Sequence, residues 1–183
     1  MCKEIIEARE EAKKITNVLG MHDKADLDIV VNYLENKFDC KIETVRFNFA
    51  QLAKKLDMPE LTNAGGYVLK EKNQFTIAIN SLLMPTFQRF AIAHELGHIA
   101  LNHMSSESRM LSFLIKYDLD DIPMDLCKSD SYFMNEQSAN AFALELLLPN
   151  VDNDDVVQYG GIEKTALKYN VSEEAVKAKI KKG

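Results

Sequence analysis

The sequence predicts an α+β protein in which a small mixed or antiparallel sheet packs on helices. Apolar residues recur at helical spacing near the N-terminus and again after residue 134, whereas strand-like segments cluster between residues 41 and 79. Of the 183 residues, 46% are hydrophobic and 27% are charged, as in ordinary globular domains. This composition excludes a disordered chain, a collagen-like fibre and a coiled coil.

The N-terminal part predicts two helices, one strand and a short third helix. Apolar residues keep helical spacing from Ile5 to Leu19, and a second apolar stripe follows Asp26. Residues 41–47 (KIETVRF) alternate between apolar and polar side chains, which is typical of a half-buried strand. Residues 49–56 have the pattern of a short helix.

The middle of the chain predicts a hairpin followed by a buried helix. Residues 66–69 and 75–79 are strand-like, and residues 71–73 form the expected turn. Pro85 suits the first turn of a helix. From Phe87 to Leu101 this helix is apolar almost all round, so we expect it to lie at the centre of the protein.

The C-terminal half predicts further helices separated by acidic segments. We expect a helix over 108–117, a turn-rich acidic run over 118–123, an apolar helix over 135–148 and a helix pair over 162–182. The acidic residues between the last two regions predict a linker. The expected organisation is one domain over residues 1–150, with the linker and helix pair of residues 151–183 packed on it or appended to it.

The C-terminal helix pair has the spacing of a helix-turn-helix, with Asn170 in the turn. Its second helix begins Ser172-Glu173-Glu174, which would repel phosphates. The net charge of −6 also disfavours a nucleic-acid partner. We therefore expect a packing or protein-docking module, and direct nucleic-acid binding is the less favoured alternative.

Several features predict a cytoplasmic location without membrane contact. No segment approaches the ~20 apolar residues of a membrane span, and the N-terminus lacks the apolar core of a signal peptide. Cys2, Cys40 and Cys127 are odd in number and widely spaced, which is typical of reduced thiols.

The most informative motif is HExxH at residues 94–98, in the middle of the buried helix. Residues i and i+4 share one helix face, so His94 and His98 can point at a single ion while Glu95 projects beside them. Burying these polar groups would be costly without a partner, and Zn²⁺ is the simplest one. The alternative is a pair of hydrogen-bonded core histidines with a structural glutamate.

Zinc requires a third protein ligand, for which Glu136 is the best candidate. It lies at the start of the predicted 135–148 helix, and Asn140, one turn later, could orient a zinc-bound imidazole. Gly97 on the HExxH helix suggests close packing against another backbone. The alternative for Glu136 is a carboxylate favoured by the helix dipole. The fallback ligands are the aspartates of the acidic run and the segment after it: Asp118, Asp120, Asp121, Asp125 and Asp130.

Three other residues are expected to lie away from the site. His103 is five positions beyond His98, which on a continuous helix is a rotation of about 140°. His22 falls in a polar loop, and Glu145 lies about 180° from Glu136 on their helix, where we expect it to be solvated.

Two histidines, one carboxylate and an open position form a catalytic zinc site. Glu95 would act as general base, and the predicted reaction is peptide-bond hydrolysis. The strand over 75–80 would be a sheet edge that pairs with an extended substrate, with Ile77 and Ile79 as contacts. The candidates for stabilising the oxyanion are Tyr132, Tyr67 and Arg89.

Two segments together resemble the ImmA/IrrE metallopeptidase family. Residues 88–98 (QRFAIAHELGH) look like its zinc helix, and residues 136–149 (EQSANAFALELLLP) look like its downstream ExxAxxFAxxLLxP helix. The resemblance is strongest over residues 65–149. The chain departs from the pattern at Ala91, where the family usually has Thr.

The resemblance implies a gluzincin-like, and therefore zincin-like, α+β fold with His94, His98 and Glu136 as zinc ligands and Glu95 as general base. It also implies a protein substrate, a DNA-binding helix-turn-helix repressor whose cleavage relieves repression in a mobile element or stress response. Two alternatives remain open: a zinc-dependent binding protein or antitoxin-like regulator that holds its partner without cutting it, and a DNA-binding regulator using residues 162–182.

Overall fold

The computed structural model describes residues 2–104, 109–113 and 131–181, and within these ranges it is an α+β protein. The helices are α1 (Lys3–Val18), α2 (Leu27–Phe38), α3 (Phe49–Leu56), α4 (Pro85–Ala100), α5 (Ser131–Leu147), α6 (Asn153–Gln158), α7 (Ile162–Tyr169) and α8 (Glu173–Ile180). The strands are β1 (Lys41–Phe47), β2 (Ala64–Glu71), β3 (Gln74–Asn80) and β4 (Arg109–Phe113), with a short 3-10 helix at Pro59–Asn63.

The four strands form one mixed sheet in the order β1-β3-β2-β4. β1 runs parallel to β3, whereas β2 is antiparallel to both β3 and β4. Lys72, with φ of +52°, lies in the tight turn of the β2–β3 hairpin. β3 is therefore an interior strand with a partner on each side, and the prediction that it forms a sheet edge is wrong.

Ile77 and Ile79 of β3 are fully buried in the main hydrophobic core. They face the helices that cover the sheet, so they stabilise the fold and are inaccessible to a substrate in this structure. The pattern of residues 75–79 correctly predicted a strand. However, the alternation of side chains along one strand does not show which strands lie beside it in the sheet.

Helix α4 lies between the sheet and α5, and α5 in turn packs against α1. Residues from Phe90 to Ala100 are almost all buried, as their apolar pattern predicted. A Cβ added at Gly97 would lie 3.2 Å from the Ala139 backbone and 3.1 Å from the Phe142 ring. The prediction of close backbone packing at Gly97 is thus confirmed, and it brings α5 against α4.

Capping residues explain several of the helix starts. The Asp26 side chain accepts hydrogen bonds from the backbone N–H groups of Asp28 and Ile29 at the start of α2. Asn48 caps α3 in the same way. The acidic segment that we interpreted as a linker contains α6, because Asp152 and Asp155 form a reciprocal capping box at its start.

Two predicted helices differ from the structure, one in its type and one in where it begins. Residues 109–113 form β4, paired with β2, so the prediction of a helix there is wrong. Helix α5 begins at Ser131, four residues earlier than predicted, which places Glu136 in its second turn and not at its N-terminus.

The last helices share the main core. Tyr169, Val171 and Val176 are buried in the same cluster as the residues of α4 and α5. Lys179 of α8 forms an ion pair of 2.6 Å with Glu145 of α5, and both side chains are largely buried. The prediction that Glu145 is solvated is therefore wrong.

No helix in the described ranges is both long enough and apolar enough to span a membrane. Cys40 is a free thiol, as predicted, and it is buried. Cys2 is disulfide-bonded, so the prediction of a reduced thiol is wrong there, and Cys127 lies outside the described residues.

Candidate metal centre

The site is built on the buried middle of α4, where His94 and His98 are separated by one helical turn. Their Nε2 atoms face each other at 3.0 Å, and their ring planes meet at 70°. Both side chains are almost completely buried. The spacing of the two residues in sequence therefore brings two imidazole nitrogens to one point inside the protein, as the i, i+4 rule predicts.

Glu136 approaches the same point from α5. Its Oε1 lies 3.2 Å from His98 Nε2, and its Oε2 lies 3.5 Å from His94 Nε2. The approach depends on the close contact of α5 with α4 at Gly97. The structure thus brings together the three residues that the sequence predicted as ligands, with one ligand atom from each lying within 4.8 Å of the others.

The geometry of this cluster suits a metal ion. Ligand atoms bound tetrahedrally at ~2.0–2.1 Å are about 3.3 Å apart, close to the separations of 3.0, 3.2 and 3.5 Å seen here. Both carboxylate oxygens of Glu136 are buried and make no hydrogen bond within the described part of the chain. A buried carboxylate without hydrogen bonds is costly, and a cation held between it and the imidazoles would satisfy it.

The electrostatics of the cluster follow from its burial and its mixed charges. Burial alone would raise the pKa of Glu136, but the adjacent His94 and His98 lower it to about 2. Burial alone would lower the pKa of His94, but Glu136 and Glu95 hold it above its usual value. For His98 burial dominates and lowers the pKa to about 4. Glu136 is therefore an anion facing two imidazoles that share one site.

Asn140 lies one turn beyond Glu136 on α5 and contacts the far side of His94. Its Oδ1 is 2.8 Å from His94 Nδ1, and the side chain is buried. Since an amide oxygen only accepts, His94 Nδ1–H donates this hydrogen bond and Nε2 keeps its lone pair for the cluster. The Asn140 position matches the orienting role expected from the sequence.

His103 was expected to face elsewhere, and this prediction is wrong. Its Nδ1 lies 3.0 Å from His98 Nδ1, on the side of the ring opposite the cluster. The rotation of 140° assumes a continuous helix, whereas α4 ends at Ala100 and Asn102 adopts a left-handed φ of +53°. Burial lowers the pKa of His103 to about 3, with His98 acting in the same direction. An Asn just beyond a helix is the sequence signal that could have revealed this reversal.

Glu95 is fully buried beside the two histidines, at the interface between α4 and the sheet. A Cβ added at Gly66 of β2 would lie only 2.7 Å from Glu95 Oε1. The absence of a side chain at Gly66 therefore makes room for the carboxylate, a role that the sequence analysis did not assign.

The three oxyanion candidates lie in different places. Tyr132 is in the first turn of α5, one turn before Glu136, and its side chain is 45% exposed. Tyr67 is partly buried and packs against the small hydrophobic cluster of Phe49, Ala64 and Ala78. Arg89 donates a hydrogen bond to the Ala25 carbonyl and lines a surface cavity of about 540 Å³ that contains none of the cluster residues. Of the three candidates, only Tyr132 lies on the same helix face as a predicted ligand, Glu136.

The remaining candidates are His22 and the five fallback aspartates. His22 is exposed in the loop before α2, as predicted. The five fallback aspartates all lie outside the described residues.

An HExxH helix whose two histidines meet a glutamate from a second helix is an arrangement of the metallopeptidase class. Residues 55–181 match the family model Peptidase_M78, the IrrE N-terminal-like domain. The chain belongs to this peptidase family, which confirms the resemblance found in the sequence and indicates a metallopeptidase role. A comparison with curated proteins found no match.

Proposed function

We propose that this protein is a zinc-dependent endopeptidase that hydrolyses a peptide bond in a specific regulatory protein. The observation that supports this most strongly is the convergence of His94 Nε2, His98 Nε2 and the Glu136 carboxylate within 4.8 Å in a buried site. In this proposal the fold is zincin-like, with the HExxH helix beneath the sheet and the third ligand on the following long helix.

Each residue of the site then has a definite task. His94, His98 and Glu136 hold Zn²⁺, which when bound acidifies water and polarises the substrate carbonyl. Glu95 accepts a proton from the attacking water and returns it to the leaving amine. Asn140 keeps the proton of His94 on Nδ1, because its amide oxygen lies 2.8 Å from that atom. Tyr132 is the favoured oxyanion donor, as it lies one turn before Glu136 on α5.

We propose a DNA-binding helix-turn-helix repressor as the substrate, with cleavage relieving repression in a mobile element or stress response. The resemblance to the ImmA/IrrE family supports this class of substrate. The net charge of −6 suits a basic partner, although charge affects association more than cleavage. A repressor substrate would place the enzyme in the cytoplasm.

We propose that the C-terminal helices α7 and α8 form a helix-turn-helix-like pair that packs against the rest of the protein and does not bind DNA. The chain reverses between them at Asn170, which has a left-handed φ of +53°, and α8 begins with Glu173 and Glu174. A gel-shift assay at low salt should show no binding of duplex DNA. A shift that depends on residues 162–182 would favour the DNA-binding alternative.

The metal site is tested first, by elemental mass spectrometry on protein purified without added metal. The wild type should contain one zinc per chain, and Glu136→Gln, which keeps the size of the side chain, should lose most of it. Glu145→Gln is the matched control, because Glu145 lies on the same helix about 180° away and should leave the zinc content unchanged. A wild type that neither contains nor takes up zinc would mean that His94 and His98 are core residues.

Peptidase activity is tested by comparing cells that express the wild type or Glu95→Gln. New protein N-termini are labelled and identified by mass spectrometry, and we expect a small set that appears only with the wild type. Zinc content should be equal in both proteins. Identical N-termini in the two samples, together with unchanged biological activity of the variant, would instead favour the alternative of a non-proteolytic, zinc-dependent binding protein.

A further inference from the structure

The segment that follows α4 folds back onto the site through a Schellman turn. The N–H of His103 donates to the carbonyl of His98, and the N–H of Asn102 donates to the carbonyl of Ile99. These two hydrogen bonds define the Schellman motif, which also requires the left-handed backbone conformation that Asn102 adopts. In this motif, the residue two positions beyond the C-cap contacts the helix residue that lies five positions before it. Here these two residues are His103 and His98.

In Schellman turns this side-chain contact is frequently hydrophobic, whereas here it joins two imidazole nitrogens. His98 Nδ1 and His103 Nδ1 lie 3.0 Å apart, and the two rings meet edge to face with their planes at 69°. A hydrogen bond between two nitrogens needs one proton, so one ring must donate and the other must accept.

The cluster decides which ring donates. His98 Nε2 faces His94 Nε2 and Glu136 Oε1, so a ligand role requires its lone pair and leaves the only proton of a neutral ring on Nδ1. His103 Nδ1 must then accept. His94 has the same arrangement, since its Nδ1–H donates to Asn140 Oδ1. Each histidine of the motif thus has an acceptor behind it, one from α5 and one from the turn that ends α4.

We propose that His103 is a positioning residue that holds His98 in its metal-binding tautomer and ring orientation by accepting the hydrogen bond from His98 Nδ1. This inference rests on the proposed metal site, because it assigns His98 Nε2 to the ion. The partner behind a metal-bound histidine typically changes metal affinity by about 10–100-fold.

The test compares two replacements of His103 that differ in the acceptor. His103→Asn keeps an oxygen where Nδ1 lies, as Asn140 provides for His94, whereas His103→Phe keeps a ring but removes the acceptor. The affinity for zinc alone is measured by competition with a chromophoric chelator. We expect about 10–100-fold weaker binding for His103→Phe and a value within about threefold of the wild type for His103→Asn. His22→Asn, at an exposed histidine, is the control.

A second readout separates positioning from a general loss of structure. Nitrogen-15 NMR of the zinc-loaded protein should show a protected His98 Nδ1–H signal in the wild type and in His103→Asn, and its loss in His103→Phe. If His103→Phe does not fold, His103→Asn decides: near-normal affinity with the protected proton supports the inference, and affinity weakened tenfold or more overturns it.

The outcomes also distinguish this inference from the proposed function. One zinc per chain, bound through His98 but with equal affinity in the wild type and His103→Phe, would overturn the role of His103 and leave the peptidase proposal standing. A wild type that binds no zinc would overturn both.

Discussion

At the scale of single residues, Asn140 contacts His94 through only one of its two polar side-chain atoms. Its Oδ1 accepts from His94, whereas its Nδ2 is buried without a hydrogen-bond partner among the described residues. Asn140→Asp would therefore lose no hydrogen bond. It would place a carboxylate behind the imidazole of His94, a proposed metal ligand, and would raise the basicity of that imidazole.

We expect Asn140→Asp to bind zinc at least as tightly as the wild type and Asn140→Leu to bind it about 10–100-fold more weakly. Without metal, Asn140→Asp should be less stable than the wild type, because its new buried charge lies near Glu136. Chelator competition and denaturant unfolding with and without zinc would measure both effects. Equal affinities for the Asp and Leu variants would contradict an orienting role for Asn140.

Gly66 limits the space around the proposed general base. A methyl group at this position would lie 2.7 Å from Glu95 Oε1 and 3.1 Å from Ile79 Cδ1, so the carboxylate must shift to accommodate it. We expect Gly66→Ala to lower kcat at least tenfold, since a misplaced general base loses much of a contribution of about 10²–10⁴-fold. The zinc content should not change, because the three atoms nearest to the new methyl group belong to Glu95, Ile79 and Ala78 and not to a proposed ligand.

A second substitution identifies which contact causes the loss. Ile79→Val removes the Cδ1 atom that would meet the new methyl group but leaves Glu95 in place. If the shift of Glu95 lowers kcat, the double variant Gly66→Ala/Ile79→Val should remain as slow as Gly66→Ala. Recovery of kcat in the double variant would show that distortion of the sheet core, and not the general base, is responsible.

At the scale of elements, the crossing of α4 and α5 determines whether the three proposed ligands meet. A Cβ at Gly97 would lie 3.2 Å from both Cα and O of Ala139, and these are backbone atoms that no substitution at Ala139 can remove. Gly97→Ala should therefore move the helices apart. The overpacking costs about 1–3 kcal/mol, and the better helix propensity of Ala offsets about 1 kcal/mol of it.

We expect a net destabilisation of up to about 2 kcal/mol for Gly97→Ala, accompanied by weaker zinc binding, because Glu136 retreats with α5. Denaturant unfolding of the metal-free protein and chelator competition would measure the two effects separately. A stabilised variant with normal zinc affinity would mean that the two helices adjust without moving the ligands.

Elements with a complete local pattern could be predicted from the sequence, whereas those defined by a distant partner could not. The alternation of residues 41–47 and the all-round apolar surface of α4 gave correct elements, and the spacing of His94 and His98 gave correct neighbours. β4 exists as a strand through its pairing with β2, and the interior position of β3 depends on its pairing with β1.

The same distinction applies within the site. Glu136 was predicted from its place in an apolar helix and from Gly97, which indicated that another backbone packs closely on the HExxH helix, as the contact with Ala139 now shows. His103 was missed because its contact depends on where α4 ends, and helix ends are the least certain feature of a sequence-based prediction. The room that Gly66 makes for Glu95 depends on how the sheet lies against α4, which no single segment specifies.

At the scale of the whole molecule, a buried ion pair joins the C-terminal helix to the helix that contains Glu136. Lys179 Nζ lies 2.6 Å from Glu145 Oε2, and the side chains are 12% and 6% exposed. Burial lowers the pKa of Lys179, and Glu145 opposes this effect. Because both charges of this pair are largely buried, we expect removal of one to cost more than removal of one partner of a surface ion pair would.

Lys179→Met should lower the free energy of unfolding by about 3–5 kcal/mol, since it leaves the Glu145 carboxylate buried without its cation. The double variant Lys179→Met/Glu145→Leu should regain most of that loss, because apolar groups of similar size replace a buried pair at little cost. Denaturant unfolding of the wild type, both single variants and the double variant completes the cycle. Zinc affinity of the folded proteins should stay constant, as Glu145 faces away from Glu136. Losses below about 0.5 kcal/mol in both single variants would mean that α8 is held by its apolar contacts alone, and the C-terminal helices would then be an appended unit.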